Sequence, residues 1–197
     1  IIMIRVGIMG GIGSGKSFIA KLFKHPIFNA DQEVNNVYKK NKNCYNRLKR
    51  RLPKFIKSFP IKKSELIEAI SSNRKNIKII SSIVHPIIRK RMGKFLSQNR
   101  NSQMVVLDIP LLIENKLNKK GDILVFVRSK KAKILKRLKK RKNYDLKIIE
   151  VLKQNQSNLL KKRKLAKYTI DNNYSANIMK KKIKILKEKI FYERSSS

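Results

Sequence analysis

Cysteine is almost missing from this chain: Cys44 stands alone among 197 residues. That excludes a disulfide framework and any metal site built on several thiolates. Tryptophan is absent, and the eight Phe and six Tyr are scattered, so no stacking platform for single-stranded nucleic acid stands out. No apolar run reaches the length of a membrane span, and the first residues lack the basic-then-apolar pattern of a secretory signal. A soluble, cytoplasmic protein with no membrane partner is expected. Acidic residues are scarce, 12 against 50 Lys and Arg, for a formal charge of +38. Such a charge invites a nucleic-acid reading. The basic residues, however, lie in nearly every polar segment, among them "YKKNKN", "RLKRR", "SNRKNIK", "LLKKRK" and "IMKKKIKILK". Heavy joint use of Lys, Ile and Asn has the character of compositional drift. A solvated basic surface with no specific nucleic-acid partner is expected, one that still binds polyanions non-specifically at low salt.

What is present is a regular alternation. Short apolar, β-branched runs at 4–9, 26–31, within 102–112 between a polar turn and a Pro, at 122–129 and at 168–173 read as strands. Helical patterns fall at 17–23, across 32–98 with breaks at Pro53, Pro60 and Pro86, and at 130–142, 145–166 and 175–192. Strands alternating with helices predict an α/β fold with a parallel five-stranded sheet covered on both faces. The helical stretch between the second and third strands is too long for a simple crossover and reads as an insertion, about 35–99. One domain accommodates the chain, its core formed by 1–34, 100–128 and 166–197.

The chemistry begins at "GGIGSGKS" (10–17), which fits G-x-x-x-x-G-K-[ST] between a strand and a helix. Gly11, Ile12, Gly13, Ser14 and Gly15 form a loop in which glycines let backbone N–H groups approach phosphate oxygens. The following helix turns its positive end the same way. Lys16 can reach the β- and γ-phosphates of ATP, and the Ser17 hydroxyl can ligate Mg²⁺. A dinucleotide loop fits less well, because it does not require Lys-Ser after its last glycine. Phe18, one place further on, is expected to pack against the sheet.

Other residues bear on what receives the phosphoryl group. Asp31 ends the second predicted strand, where a carboxylate can accept a hydroxyl proton or simply cap the next helix. His85 and Arg89 in "VHPIIRKR" can hold an anion, although a capped helix start at His-Pro explains the same residues. Asp108 in "DIPLLIE" can act near a metal or substrate, with Glu114 more structural. Arg137 and Arg141, four apart, can neutralise charge on a transferring phosphoryl group or form a solvated helix face.

In order along the chain, "GIMGGIGSGKS", "NAD" (29–31), "VHPII" (84–88), "DIPLLIE" (108–114), "KRLKKR" (136–141), "NQ" (155–156) and "AKYTIDNN" (166–173) resemble the dephospho-CoA kinase family. The resemblance implies a P-loop core, a helical region for the CoA moiety and a small lid at about 129–165. It implies transfer of the ATP γ-phosphoryl group to the ribose 3′-hydroxyl of dephospho-CoA, the last step of coenzyme A synthesis. Asp31 would be the base, and Lys16, Arg137 and Arg141 would act on the phosphoryl group. His85, Arg89, Asp108 and Leu111 would lie on the acceptor side, and Asn172 would approach the adenine. Departures from the family pattern fall at Phe18, Asn29, Lys63 and Lys167, and the segment between Asp31 and His85 is short. The pairing of His-Pro with Pro-Leu-Leu-x-Glu argues against a nucleoside monophosphate kinase.

Overall fold

β1 (Ile4–Gly10) is apolar at almost every position because it has no solvent side. β3 (Met104–Asp108) and β4 (Ile123–Arg128) flank it, both parallel to it, with Val6 opposite Val106 on one side and Ile123 on the other. β2 (Ile27–Asn29) and β5 (Tyr168–Asp171) close the sheet in the order β2-β3-β1-β4-β5. The computed structural model describes residues 3–110, 112, 117–139 and 159–195.

Helices cover the sheet through apolar residues at helical spacing. α1 (Lys16–Leu22) turns Ile19 and Ala20 inward, followed by Phe23 at its C-terminus. The C-terminal helix, α8 (Ala176–Ser195), contributes Met179, Ile183, Leu186 and Ile190 to the same core as Val6, Ile8, Val106 and Val125. Phe18 does not pack on the sheet as expected. It is 39% exposed, since Ile19, Ala20 and Phe23 already define the inner face and Phe18 falls on the outer one. α6 (Lys131–Lys139) and α7 (Leu159–Leu165) follow β4. The part of the predicted 145–166 helix before Leu159 lies outside the described residues, as do "NQ" (155–156), Leu111, Glu114 and Arg141.

The chain divides into two compact units, one of Ile1–Asn29 with Asn99–Ser197, the other of Ala30–Gln98. The second unit is helical: α2 (Ala30–Lys40), α3 (Lys42–Arg51), α4 (Lys63–Ser72) and α5 (Asn76–Gln98). α3 starts where the Asn41 side chain accepts the Cys44 N–H at 2.8 Å. Val37, Cys44, Leu48, Ile80, Ile83, Val84 and Ile88 are buried in this unit.

Two sequence expectations shift and a third holds. Pro86 does not break the helical pattern but sits inside α5. Proline removes one backbone donor there, and the buried residues on both sides of it, Ile83, Val84 and Ile88, carry the helix through. The predicted strand 26–31 ends at Asn29, so Asp31 belongs to the first turn of α2 rather than to a strand end. Asp31 and Glu33 favour that helix start electrostatically. The third strand ends at Asp108, as expected of a run bounded by Pro110, which has no N–H for a ladder. Among the described residues, no helix is long and apolar enough to cross a membrane.

Candidate active site

β1 is central, with β3 on one side and β4 on the other: the connection from β1 runs to β2 on the β3 side, and the connection from β3 crosses to β4 on the opposite side. In such sheets a crevice opens beyond the strand C-termini at that point. Gly10 ends β1 there with φ at 149°, and a β-carbon would overlap the Val127 carbonyl. The loop then rises through Gly11 to Ser14 and enters α1 from Gly15, whose φ of 91° lies in the left-handed region. A β-carbon at Gly15 would also overlap the Asn172 amide nitrogen. Glycine is required at both places by conformation and by space.

Lys16 curls back along the loop, its Nζ donating to the Gly10 carbonyl at 2.9 Å and the Gly11 carbonyl at 3.0 Å. This fixes an ammonium over the loop's own carbonyls. Ser17 is exposed in the first turn of α1, and Ser14 is buried with an Oγ that has no hydrogen-bond partner among the described residues. The Ser14 carbonyl instead draws donors: Asn172 Nδ2 at 2.9 Å, Arg137 NH1 at 3.0 Å and Ser129 Oγ at 3.1 Å. Arg137 also reaches the Gly13 carbonyl at 3.4 Å and the Asn172 carbonyl at 2.9 Å. Burial lowers the affinity of its guanidinium for its proton, yet arginine remains a cation at any physiological pH. The side chain expected near an adenine, Asn172, is 2% exposed and engaged beneath the loop.

Asp108 ends β3 beside Ile8 and is 3% exposed. Its neighbour in register on β2 is Asn29, whose Nδ2 donates to Asp108 Oδ2 at 2.7 Å. Ser17 and Asp108 offer hard oxygen donors of the kind Mg²⁺ accepts. That ion takes one or two protein ligands and completes its shell with phosphates and water. Among the described residues no cluster of three or more His, Cys, Asp or Glu could cage a metal without a nucleotide.

In the second unit, Asp31 is exposed on the first turn of α2. The same turn is tied to α5 by Glu33, whose Oε2 meets Arg91 NH1 at 2.7 Å. His85 and Arg89 lie one helical turn apart within α5. Burial first, and then the Arg89 charge, lower the His85 imidazole below its ordinary value, so it is neutral at pH 7. Arg89 is exposed.

Neither the Glu33–Arg91 pair nor Ser129 carries a sequence signal, because each acts on a partner far away in the chain. A glycine-rich loop with Lys-Ser at the C-terminal end of the central strand of this parallel sheet defines a P-loop nucleoside triphosphate-binding protein of the kinase type. The dephospho-CoA kinase family model matches residues 4–177. A curated dephospho-CoA kinase of Wolbachia sp. subsp. Brugia malayi (strain TRS) is 31% identical over 175 residues, spanning 86% of this chain and 89% of that protein. The solved structure of TT1252 from Thermus thermophilus is similar with a TM-score of 0.77 at 25% identity, covering 94% of this chain and 97% of that one. The fold is also that of the dephospho-CoA kinase from Campylobacter jejuni, with a TM-score of 0.68 at 20% identity and coverage of 94% and 96%. The chain belongs to the dephospho-CoA kinase family.

Proposed function

We propose that Asp31 is the general base of this chain's reaction, with the loop from Gly11 to Ser17 holding the phosphates of ATP. As a dephospho-CoA kinase family member, the protein transfers the γ-phosphoryl group of ATP to the ribose 3′-hydroxyl of dephospho-CoA, the final step of coenzyme A formation. The 3′-oxygen forms a bond to the γ-phosphorus as the bond to the β,γ-bridging oxygen breaks. The hydroxyl proton passes to the Asp31 carboxylate and ADP leaves.

Positioning and electrostatics carry most of such a transfer. Loop N–H groups hold the phosphates, and Lys16 exchanges its carbonyl partners for phosphate oxygens. Mg²⁺, held by Ser17 and Asp108, would neutralise charge on the β- and γ-phosphate oxygens. Arg137 keeps a positive charge at the loop, and Arg141 would add a second from the lid, about 129–165. The helical region about 35–99 takes the CoA moiety. Arg89 offers its charge to an anionic group of the acceptor, and the neutral His85 adds a hydrogen bond without repelling Arg89. Leu111 would line the acceptor side. The partners are then two small molecules, met in the cytoplasm.

The observation that carries this reading is the G-x-x-x-x-G-K-S loop at the switch point of the sheet, within a chain matched by its family over 4–177. ADP release with dephospho-CoA, compared with nucleoside monophosphates and shikimate, tests the acceptor. A response to dephospho-CoA no larger than to the others would overturn it. Asp31→Asn tests the base: a turnover loss of roughly 10²–10⁴ is expected with ATP affinity kept, and unaltered turnover would remove Asp31 from that role.

A further inference from the structure

We propose that Asn172 is a positioning residue for the nucleotide phosphates, acting through the Ser14 carbonyl rather than through the adenine ring. The proposal rests on the reading that the loop holds ATP. The Ser14–Gly15 peptide is trans and planar, so its C=O and N–H point in opposite directions. Whatever holds the Ser14 carbonyl down holds the Gly15 N–H up. Three side chains do so from beneath: Asn172 at 2.9 Å, Arg137 at 3.0 Å and Ser129 at 3.1 Å.

Proton bookkeeping ranks them. Ser129 has one hydroxyl proton and accepts from Arg137 NH1 at 2.9 Å, so it can donate either to Ser14 or to the Asn172 carbonyl, which is nearer at 2.9 Å. Asn172 and Arg137 then fill the two lone pairs of the Ser14 carbonyl. Asn172 is the shorter and more rigidly placed of the two. Its own N–H bonds to the Arg128 carbonyl at 2.8 Å, and Arg128 pairs with Asp171 across the ends of β4 and β5. The Asn172 amide also occupies the space that a β-carbon on Gly15 would need. The sheet edge thus aims a loop N–H through one amide side chain.

An amide that serves phosphates must act whatever base the nucleotide carries. The test measures binding of ATP and of inorganic tripolyphosphate, which has no base, to the full chain and to Asn172→Ala. Both probes are expected to weaken by the same factor, on the order of tenfold, while dephospho-CoA affinity stays as in the parent and reports an intact fold. Ser129→Ala, a smaller truncation, should weaken both probes less. The double variant should lose more than the product of the single losses, because the Ser129 hydroxyl can turn to the lone pair that Asn172 vacates, and the double variant removes that substitute as well. Weaker ATP binding with tripolyphosphate unchanged would assign Asn172 to the adenine and overturn the proposal. Unchanged binding of both probes, or strictly multiplicative losses, would overturn it as well. Failure of the parent chain to bind tripolyphosphate or ATP would instead refute the loop's phosphate role.

Discussion

Asn29→Asp tests how the crevice manages charge. Asn29 Nδ2 and Asp108 Oδ2 are 2.7 Å apart on neighbouring parallel strands, and Asp108 is 3% exposed. The substitution turns a donor into a second carboxyl at almost the same place. Two ionised carboxylates with centres about 4 Å apart would repel by roughly 4 kcal/mol at an effective dielectric of about 20. The native state therefore holds one proton between the pair at neutral pH, as like charges sharing a site do. The unfolded chain does not hold that proton above the ordinary carboxylate range. A native state that binds the extra proton loses stability as pH rises, at about 1.4 kcal/mol per unit. Urea unfolding from pH 4.5 to 8 should show the variant near the parent at the acid end. It should fall progressively behind to a limit of about 4 kcal/mol. Magnesium ions should recover part of the deficit at pH 8 by taking the place of the proton. A stability difference independent of pH would refute the reasoning, because it would mean that the two carboxyls do not interact.

Two further outcomes follow from the same geometry. Burial lowers both histidines, His25 and His85, below the ordinary value, with Lys187 and Arg89 adding to the effect. A lowered histidine binds fewer protons folded than unfolded. Stability should therefore be complete above pH 6.5 and decline as pH falls below it, and the double variant His25→Gln/His85→Gln should flatten that slope in urea titrations. Phe18→Ser should change stability by no more than about 0.5 kcal/mol, since Phe18 is 39% exposed. A loss of several kcal/mol in thermal unfolding would show that its ring is packed.

Local chemistry was readable where a residue's task depends on its own neighbours in the chain. Apolar runs such as "IRVGIM" and "ILVFV" are strands because both faces of the sheet are covered. The loop could be read as a phosphate site because Gly, Lys and Ser are needed at fixed spacing. Asp31 could be read either at a strand end or at the start of the next helix, and only the structure decided: the strand ends at Asn29 and a helix begins at once. Pro86 looked like a boundary because a missing N–H argues against helix, whereas burial on either side of it outweighs one absent bond.

By itself, then, the sequence determined the alternation of strands and helices, the phosphate loop and the family, since each depends on short-range pattern. Tertiary structure alone decided which side chains meet. Phe18 faces out because Ile19, Ala20 and Phe23 already cover the sheet. Asn29 lies on Asp108 because β2 pairs with β3 across 79 residues of chain. Asn172 donates to the Ser14 carbonyl because β5 ends beside β4 at the mouth of the loop. Contacts of such long separation are set by strand order and register, and no local pattern encodes them.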